Sequence, residues 1–311
     1  MKRFSTLLAV LVLCSLLGCG ETRTSDGVIG VSVLTMTNPF FCDMAEAMKE
    51  EAAKHNFKVI ITAGEFDAAR QNDQVEDFIV KQVDAIVLCP CDSKSVGTAI
   101  AKARQEGIPV FTADIACLAE GVDVVCHVAS DNLGGGHAAA IAMAEVLEGE
   151  GKVAIIDYPQ IESVILRVEG FQAEIVNTPG IEVVAVTSGG ADKKKSADAT
   201  EDLLQAHPEI DGIFAINDPS ALGAAATLEK NDRADDITIV GFDAMPEGRQ
   251  GVKDGKLYAT ITQDPVKIGR TVIDRAIRYI GGEQVEKEEL IPCEIYRKAD
   301  ADKDATLIDK Q

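Results

Sequence analysis

The sequence contains no Trp, only 4 Tyr and 10 Phe, and 4 His at scattered positions. A site that stacks on a flat ring must therefore use Phe or Tyr. The His positions (55, 127, 137 and 207) carry no metal-ligand spacing. Basic residues are also few. Lys plus Arg number 30 against 51 Asp plus Glu, a formal charge of -21, and a surface that acidic repels phosphates and excludes nucleic acid as a partner. No apolar run after the first 18 residues is long enough to span a bilayer core of roughly 30 Å. With 46% apolar and 26% charged residues over 311 positions, the composition is that of a globular chain with room for two domains.

What is present begins with an export address. Residues 1–18 join a positive start, Lys2 and Arg3, to a short apolar stretch from Leu7 to Leu17. The stretch ends in Leu16-Leu17-Gly18-Cys19. This resembles a bacterial lipobox, which implies cleavage before Cys19 and acylation of that residue, with two kinds of chain giving stable anchoring. The alternative is an ordinary secretory signal cleaved near Gly20. Either reading places the protein outside the cytoplasm, and loss of residues 1–18 takes the charge of -21 to -23. Residues 19–27 read as a tether.

Six further Cys remain, at 42, 89, 91, 117, 126 and 293. In an oxidising compartment an even number permits disulfides. Cys117–Cys126 or Cys42–Cys91 is the preferred expectation, with buried free thiols the bland alternative. A thiol metal site is disfavoured because Cys89-Pro90-Cys91 has one residue between its thiols rather than two to four. No metal or cofactor is expected.

From residue 28 on, short β-rich apolar runs alternate with amphipathic stretches. The runs are at 28–34, 58–63, 85–89, 109–114 and 124–129, then 152–158, 182–187, 212–217, 237–243 and 257–263. Mostly apolar throughout, they fit strands covered on both faces. Helices are predicted over 40–55, 71–82, 93–105, 133–147 and 265–280. This is repeated βα architecture, hence two doubly wound parallel-sheet α/β lobes. Ligands bind beyond the carboxyl ends of such strands. Asn38 with Phe40 and Phe41, then Asp114, Asn217, Asp243 and Gln263 stand at those ends, and Arg167 lies on the helix after the sixth strand. Adjacent rings at 40 and 41 cannot share a helix face, so one is expected toward the cleft. Any single polar residue here could be a helix cap, and capping is preferred for Asp218. Together they form fixed amides and carboxylates with one guanidinium beside phenyl rings, a composition suited to polyols and without a poised nucleophile and base. Gly134-Gly135-Gly136 does not match the dinucleotide fingerprint and is assigned to close packing.

The ordered segments Thr37-Asn38-Pro39-Phe40-Phe41, His127 to Asn132, Arg167-Val168-Glu169-Gly170-Phe171, Leu203 to Pro208, Phe214 to Asp218, Val240-Gly241-Phe242-Asp243 and Asp254-Gly255-Lys256-Leu257 carry a resemblance over about residues 28–297. The chain is similar to periplasmic sugar-binding proteins of the ribose-binding type, the substrate-binding subunits of ABC importers. The resemblance implies a type I Venus-flytrap fold with a three-strand hinge. Lobe 1 would comprise 28–129 plus 264–292, and lobe 2 would comprise 130–263 plus 293–311. It implies a monomer that captures a sugar or polyol and delivers it to an ABC permease with its ATPase. A sensor that couples closure to a membrane kinase or chemoreceptor is the alternative. Ligand contacts would fall on Asn38, Phe40, Phe41, Asp114, Arg167, Asn217, Asp243 and Gln263. Three positions depart from ribose binders: Ile115 replaces an Arg, Ala191 a Phe, and Leu34 a small polar residue. A charge-assisted hydrogen bond is worth roughly 1.5–3 kcal/mol, so losing one guanidinium argues against ribose in its usual pose. Leu34 and Ile115 are expected to make one wall apolar, and Ala191 to leave room for a bulkier guest.

Overall fold

A computed structural model describes residues 27–309. The apolar runs form strands, and the central ones are screened on both sides, while the edge strands Phe57–Ala63 and Gly180–Ser188 stay partly exposed. In the first sheet the strands are β1 (Gly27–Val33), β2 (Phe57–Ala63), β3 (Ala85–Leu88), β4 (Val110–Ala113) and β5 (His127–Ser130). The second sheet contains β6 (Glu150–Asp157), β7 (Gly180–Ser188), β8 (Gly212–Ala215), β9 (Thr238–Asp243) and β10 (Ala259–Thr262). Two more strands, β11 (Glu288–Ile291) and β12 (Ile295–Arg297), complete the sheets in the orders β11-β5-β4-β3-β1-β2 and β12-β10-β9-β8-β6-β7. Central strands such as Ala85–Leu88 and Gly212–Ala215 are buried at every residue. All pairings are parallel except β10 with β12, which is antiparallel at a sheet edge. The fold is thus two α/β lobes with parallel sheets.

The helices are α1 (Pro39–Lys54), α2 (Ala68–Val80), α3 (Gly97–Gln105), α4 (Asn132–Val146), α5 (Glu162–Ile175), α6 (Lys193–Ala206), α7 (Asp218–Lys230), α8 (Pro246–Lys253), α9 (Pro265–Ile280) and α10 (Lys298–Ala301). Four of the five longest, α1, α4, α6 and α9, start at or within a few residues of a strand end, with the caps Asn38, Asp131, Asp192 and Asp264 accepting from first-turn amides. No described helix is long and apolar enough to cross a membrane. Cys19, expected to carry the anchor, and the segment before it lie outside the described residues.

The chain passes between the sheets at 130–132, 262–265 and 291–295. After the first passage α4 packs on α5, and after the second α9 packs on α1. The α4–α5 crossing depends on glycine. A Cβ on Gly136 would overlap the Arg167 carbonyl oxygen, one on Gly170 would overlap that of Leu133, and one on Gly135 would press the Phe242 ring. The backbone of the helix that carries Arg167 therefore lies directly on α4. Gly136→Ala is expected to force the helices apart and lower stability by about 1–3 kcal/mol. Urea unfolding should show a lower midpoint at unchanged slope, and a midpoint within error of the parent would refute this packing argument.

The six cysteines among the described residues are free thiols, and neither expected disulfide is present. Cys42 Sγ donates to the Met36 carbonyl at 3.3 Å and Cys91 Sγ to the Leu34 carbonyl at 3.9 Å. These two thiols thus have their own backbone acceptors, and Cys126 is fully buried with its Sγ on the His127 carbonyl.

Candidate functional site

The ends of β1, β4, β8, β9 and β10 meet the start of α5 around one narrow, largely buried cavity between the lobes. Asn38, Phe40, Phe41 and Asp114 line it from the first sheet's side, and Arg167, Asn217, Asp243 and Gln263 from the second's. Leu34 and Ala191 also line it.

Two of these positions are strained. Asp114 has φ 65°, and Ile115 N–H donates to the Ala113 carbonyl at 2.7 Å across it. This is the uncommon γ-turn, which strains its central residue. Asp243 has φ 107°. Strain of this kind persists where the surroundings over-determine it, and it clusters at binding sites. The turn corrects one expectation. Ile115 is fully buried in the hydrophobic core and is absent from the cavity lining. The γ-turn presents the Asp114 carboxylate and sends the next side chain inward.

Arg167 is only 4% exposed. Its Nε donates to Asn132 Oδ1 at 2.8 Å and its Nη1 to the Ile216 carbonyl at 2.8 Å. The guanidinium carbon stands 3.9 Å from the centre of the Phe242 ring, a cation–π contact. Nη1 is also 3.6 Å from Asp243 Oδ1. That oxygen accepts from Gln263 Nε2 at 2.7 Å. Arginine has five N–H donors, of which the Asn132 and Ile216 bonds use two.

Burial pushes the Asp114 carboxyl up to about 7, opposed by Arg167 and reinforced by Asp243 and Glu162. Burial likewise raises Asp243 to about 6, while Arg167 and the Gln263 hydrogen bond pull it down. Asp114 Oδ1 and Gln263 Oε1 are buried acceptors with no partner in the protein. An orphaned acceptor costs roughly 1–3 kcal/mol, so two facing one cavity need an explanation.

The amides divide their work. Asn38 Oδ1 caps α1 through Phe40 N–H at 3.0 Å, which leaves its amide nitrogen as the donor. Asn217 Oδ1 caps α7 through Ser220 N–H at 2.9 Å, and its Nδ2 donates to the Ala191 carbonyl at 3.2 Å. The cap is therefore Asn217 and not Asp218. Asp218 sits one residue further, buried, and accepts from Met245 N–H and the Thr260 hydroxyl. Phe40 and Phe41 meet edge to face at 5.1 Å, and both rings reach the cavity.

Sequence reasoning missed Phe66, Ile161, Ser163, Val164 and Ile216, which complete the lining. Phe66 follows β2, so the strand-end rule would have found it. Its edge-to-face contact with Tyr158 at 6.1 Å bridges the two lobes. Ser93, in the loop after β3, makes a second bridge. Its N–H donates to the Gln160 carbonyl at 3.1 Å, and its Oγ accepts from Glu162 N–H at 2.9 Å. The N-cap of α5, Ile161, has no capping side chain, so a hydroxyl from the opposite lobe serves instead. Ser93→Ala is expected to cost the closed form about 1 kcal/mol, which is about fivefold in ligand affinity. Calorimetry with a sugar ligand of the parent checks this, and equal affinity would show that the bridge does not favour closure.

Two lobes closing on a cavity at the carboxyl ends of their strands define a bilobal binding protein. The periplasmic binding protein domain model matches residues 29–284, and the chain belongs to that family. It is 37% identical over 268 residues to the ribose import binding protein RbsB of Bacillus subtilis, covering 86% of each chain. Among solved structures, a solute-binding protein from Bacillus halodurans with bound myo-inositol is 33% identical at TM-score 0.83, covering 90% of this chain and 97% of that one. One from Actinobacillus succinogenes with bound D-allose is 28% identical at TM-score 0.83, covering 89% and 99%.

Proposed function

We propose that this protein captures a neutral sugar or polyol between its lobes and delivers it to an ABC permease with its ATPase. The observation that carries the reading is the pair of orphaned acceptors, Asp114 Oδ1 and Gln263 Oε1, in the cavity that also holds Arg167 and the Phe40 ring. Hydroxyls of a guest satisfy the acceptors, the guanidinium donates to its oxygens, and the ring covers a C–H face. Similarity to ribose, inositol and allose binders supports the class. Among the described residues Arg167 is the one cationic side chain lining the cavity, and Leu34, Phe66, Ile161, Val164 and Ile216 give it apolar walls. We therefore assign a ligand poorer in hydrogen-bonding demand than ribose in its usual pose.

Capture is non-covalent, and the protein works as a monomer without a cofactor. Guest binding favours the closed state through differential affinity for it, and the permease recognises that state. A thermal-shift screen against pentoses, hexoses, deoxysugars and cyclic polyols tests the reading, since a ligand raises the midpoint by mass action. A flat response to the whole panel would overturn it, and tight selective binding of ribose would overturn the assignment away from ribose.

The mature protein is held at the extracytoplasmic face of a bacterial membrane by lipid on Cys19. Cys19→Ser is expected to release it from the membrane fraction to the soluble extract. Intact mass of the parent should show loss of residues 1–18 with acyl chains added, and a mature parent chain of unmodified mass would remove the anchor.

A further inference from the structure

The cavity does not end at Ala191. A second chamber of about 1080 Å³, counting the space at its mouth, adjoins it, and Asn38, Phe66 and Ala191 line both. Ala191 contributes only a methyl group to the shared wall, at φ 52°. The chamber is largely apolar. Leu222 and Met245 line it, and so do Pro39, Pro219 and Pro246, the prolines in the first turns of α1, α7 and α8. Those first turns present proline rings where other helices present N–H donors, which does not suit an anion. Its charges argue the same way, since Lys193 is set against Asp192, Asp218 and Glu247. Asp192 Oδ1 is held by Lys195 N–H and both Asp218 oxygens are occupied. Phe66 remains 37% exposed at the shared boundary.

Resting on the sugar or polyol reading of the inner cavity, we propose that the chamber is a second subsite for an uncharged apolar substituent of the same ligand, so that the physiological guest is a glycoside-like conjugate. The inner cavity grips the hydroxyl-bearing ring. The substituent passes Ala191 and lies on Phe66 and the proline rings, burying apolar surface that a free sugar leaves wet.

Calorimetric titration of ribose, xylose, allose and glucose against their α- and β-phenyl glycosides tests this on the mature full-length chain. At least one phenyl glycoside is expected to bind tenfold or more tightly than its parent sugar. Leu222→Trp fills the chamber without touching the inner lining, and it should abolish that gain while leaving the free sugar's affinity within twofold. Pro246 is exposed, so Pro246→Trp gives the same test without risk to the core. Binding of a free sugar with exclusion of every glycoside would overturn the subsite and leave the sugar-binding reading standing. A gain that survives both Trp variants would also overturn it. Failure of sugars and glycosides alike would sink both.

Discussion

Arg167→Ala is expected to reduce affinity for the sugar or polyol ligand about 10²–10⁴-fold. The parent guanidinium keeps donors in reserve after bonding Asn132 and Ile216. Two charge-assisted bonds to ligand oxygens at roughly 1.5–3 kcal/mol each account for that range. The variant still folds, because the groups around the lost charge can respond. Asp114 and Asp243 already titrate high, at about 7 and about 6, and loss of the cation pushes both higher, so they lie neutral in the interior. The unliganded midpoint falls modestly, since Asn132 Oδ1 and the Ile216 carbonyl each lose a donor. Calorimetry measures the affinity and circular dichroism the fold. A folded variant that binds within tenfold of the parent would remove Arg167 from the grip.

The second large effect is on pH. Asp114 is raised from its ordinary value of 3.8 to about 7 by burial. The folded state therefore keeps a proton at pH values where the unfolded chain has lost it. The stability from this group is fully present below pH ~4 and is lost as pH rises through about 7. A shift from 3.8 to about 7 bounds the loss at about 4 kcal/mol. Asp243, raised to about 6, acts in the same direction over a narrower window. The unliganded protein is thus expected to melt at a lower temperature at pH 7.5 than at pH 5. Asp114→Asn, which is neutral throughout, should flatten much of that slope. A ligand whose hydroxyl donates to the ionised carboxylate reverses the preference, so binding near pH 6.5 should release protons. Titration in buffers of different ionisation heat reads that release directly. A parent and an Asp114→Asn variant with identical pH profiles would refute the assignment.

Much of this site was legible because the strand-end rule is geometric. Once alternating βα units were recognised, Asn38, Asp114, Asn217, Asp243 and Gln263 followed from position, and Arg167 from the helix beyond β6. Side-chain direction was harder to read. Ile115 is adjacent to Asp114, yet the γ-turn between them separates core from cavity, and no periodicity signals a positive φ at an aspartate. Asn217 and Asp218 exchanged roles for a similar reason, since which of two adjacent polar residues caps a helix depends on where the helix begins. β11 and β12 escaped notice because Glu288–Ile291 and Ile295–Arg297 are short edge strands with charged residues, without the apolar run that marked the others. Phe66 was within reach of the strand-end rule, but Ser93 acts across the lobes, and a contact set by closure leaves no local pattern. The thiols illustrate the same limit. Cys42 and Cys91 were candidates to pair, but whether two side chains approach depends on tertiary placement.

The borrowed cap of α5 has one consequence beyond affinity. When the lobes part, the amide of Glu162 exchanges the Ser93 hydroxyl for water. Its hydrogen–deuterium exchange rate therefore follows the opening of the trap in the otherwise unmodified wild-type molecule. The same backbone position can report how long a captured guest holds the jaws shut.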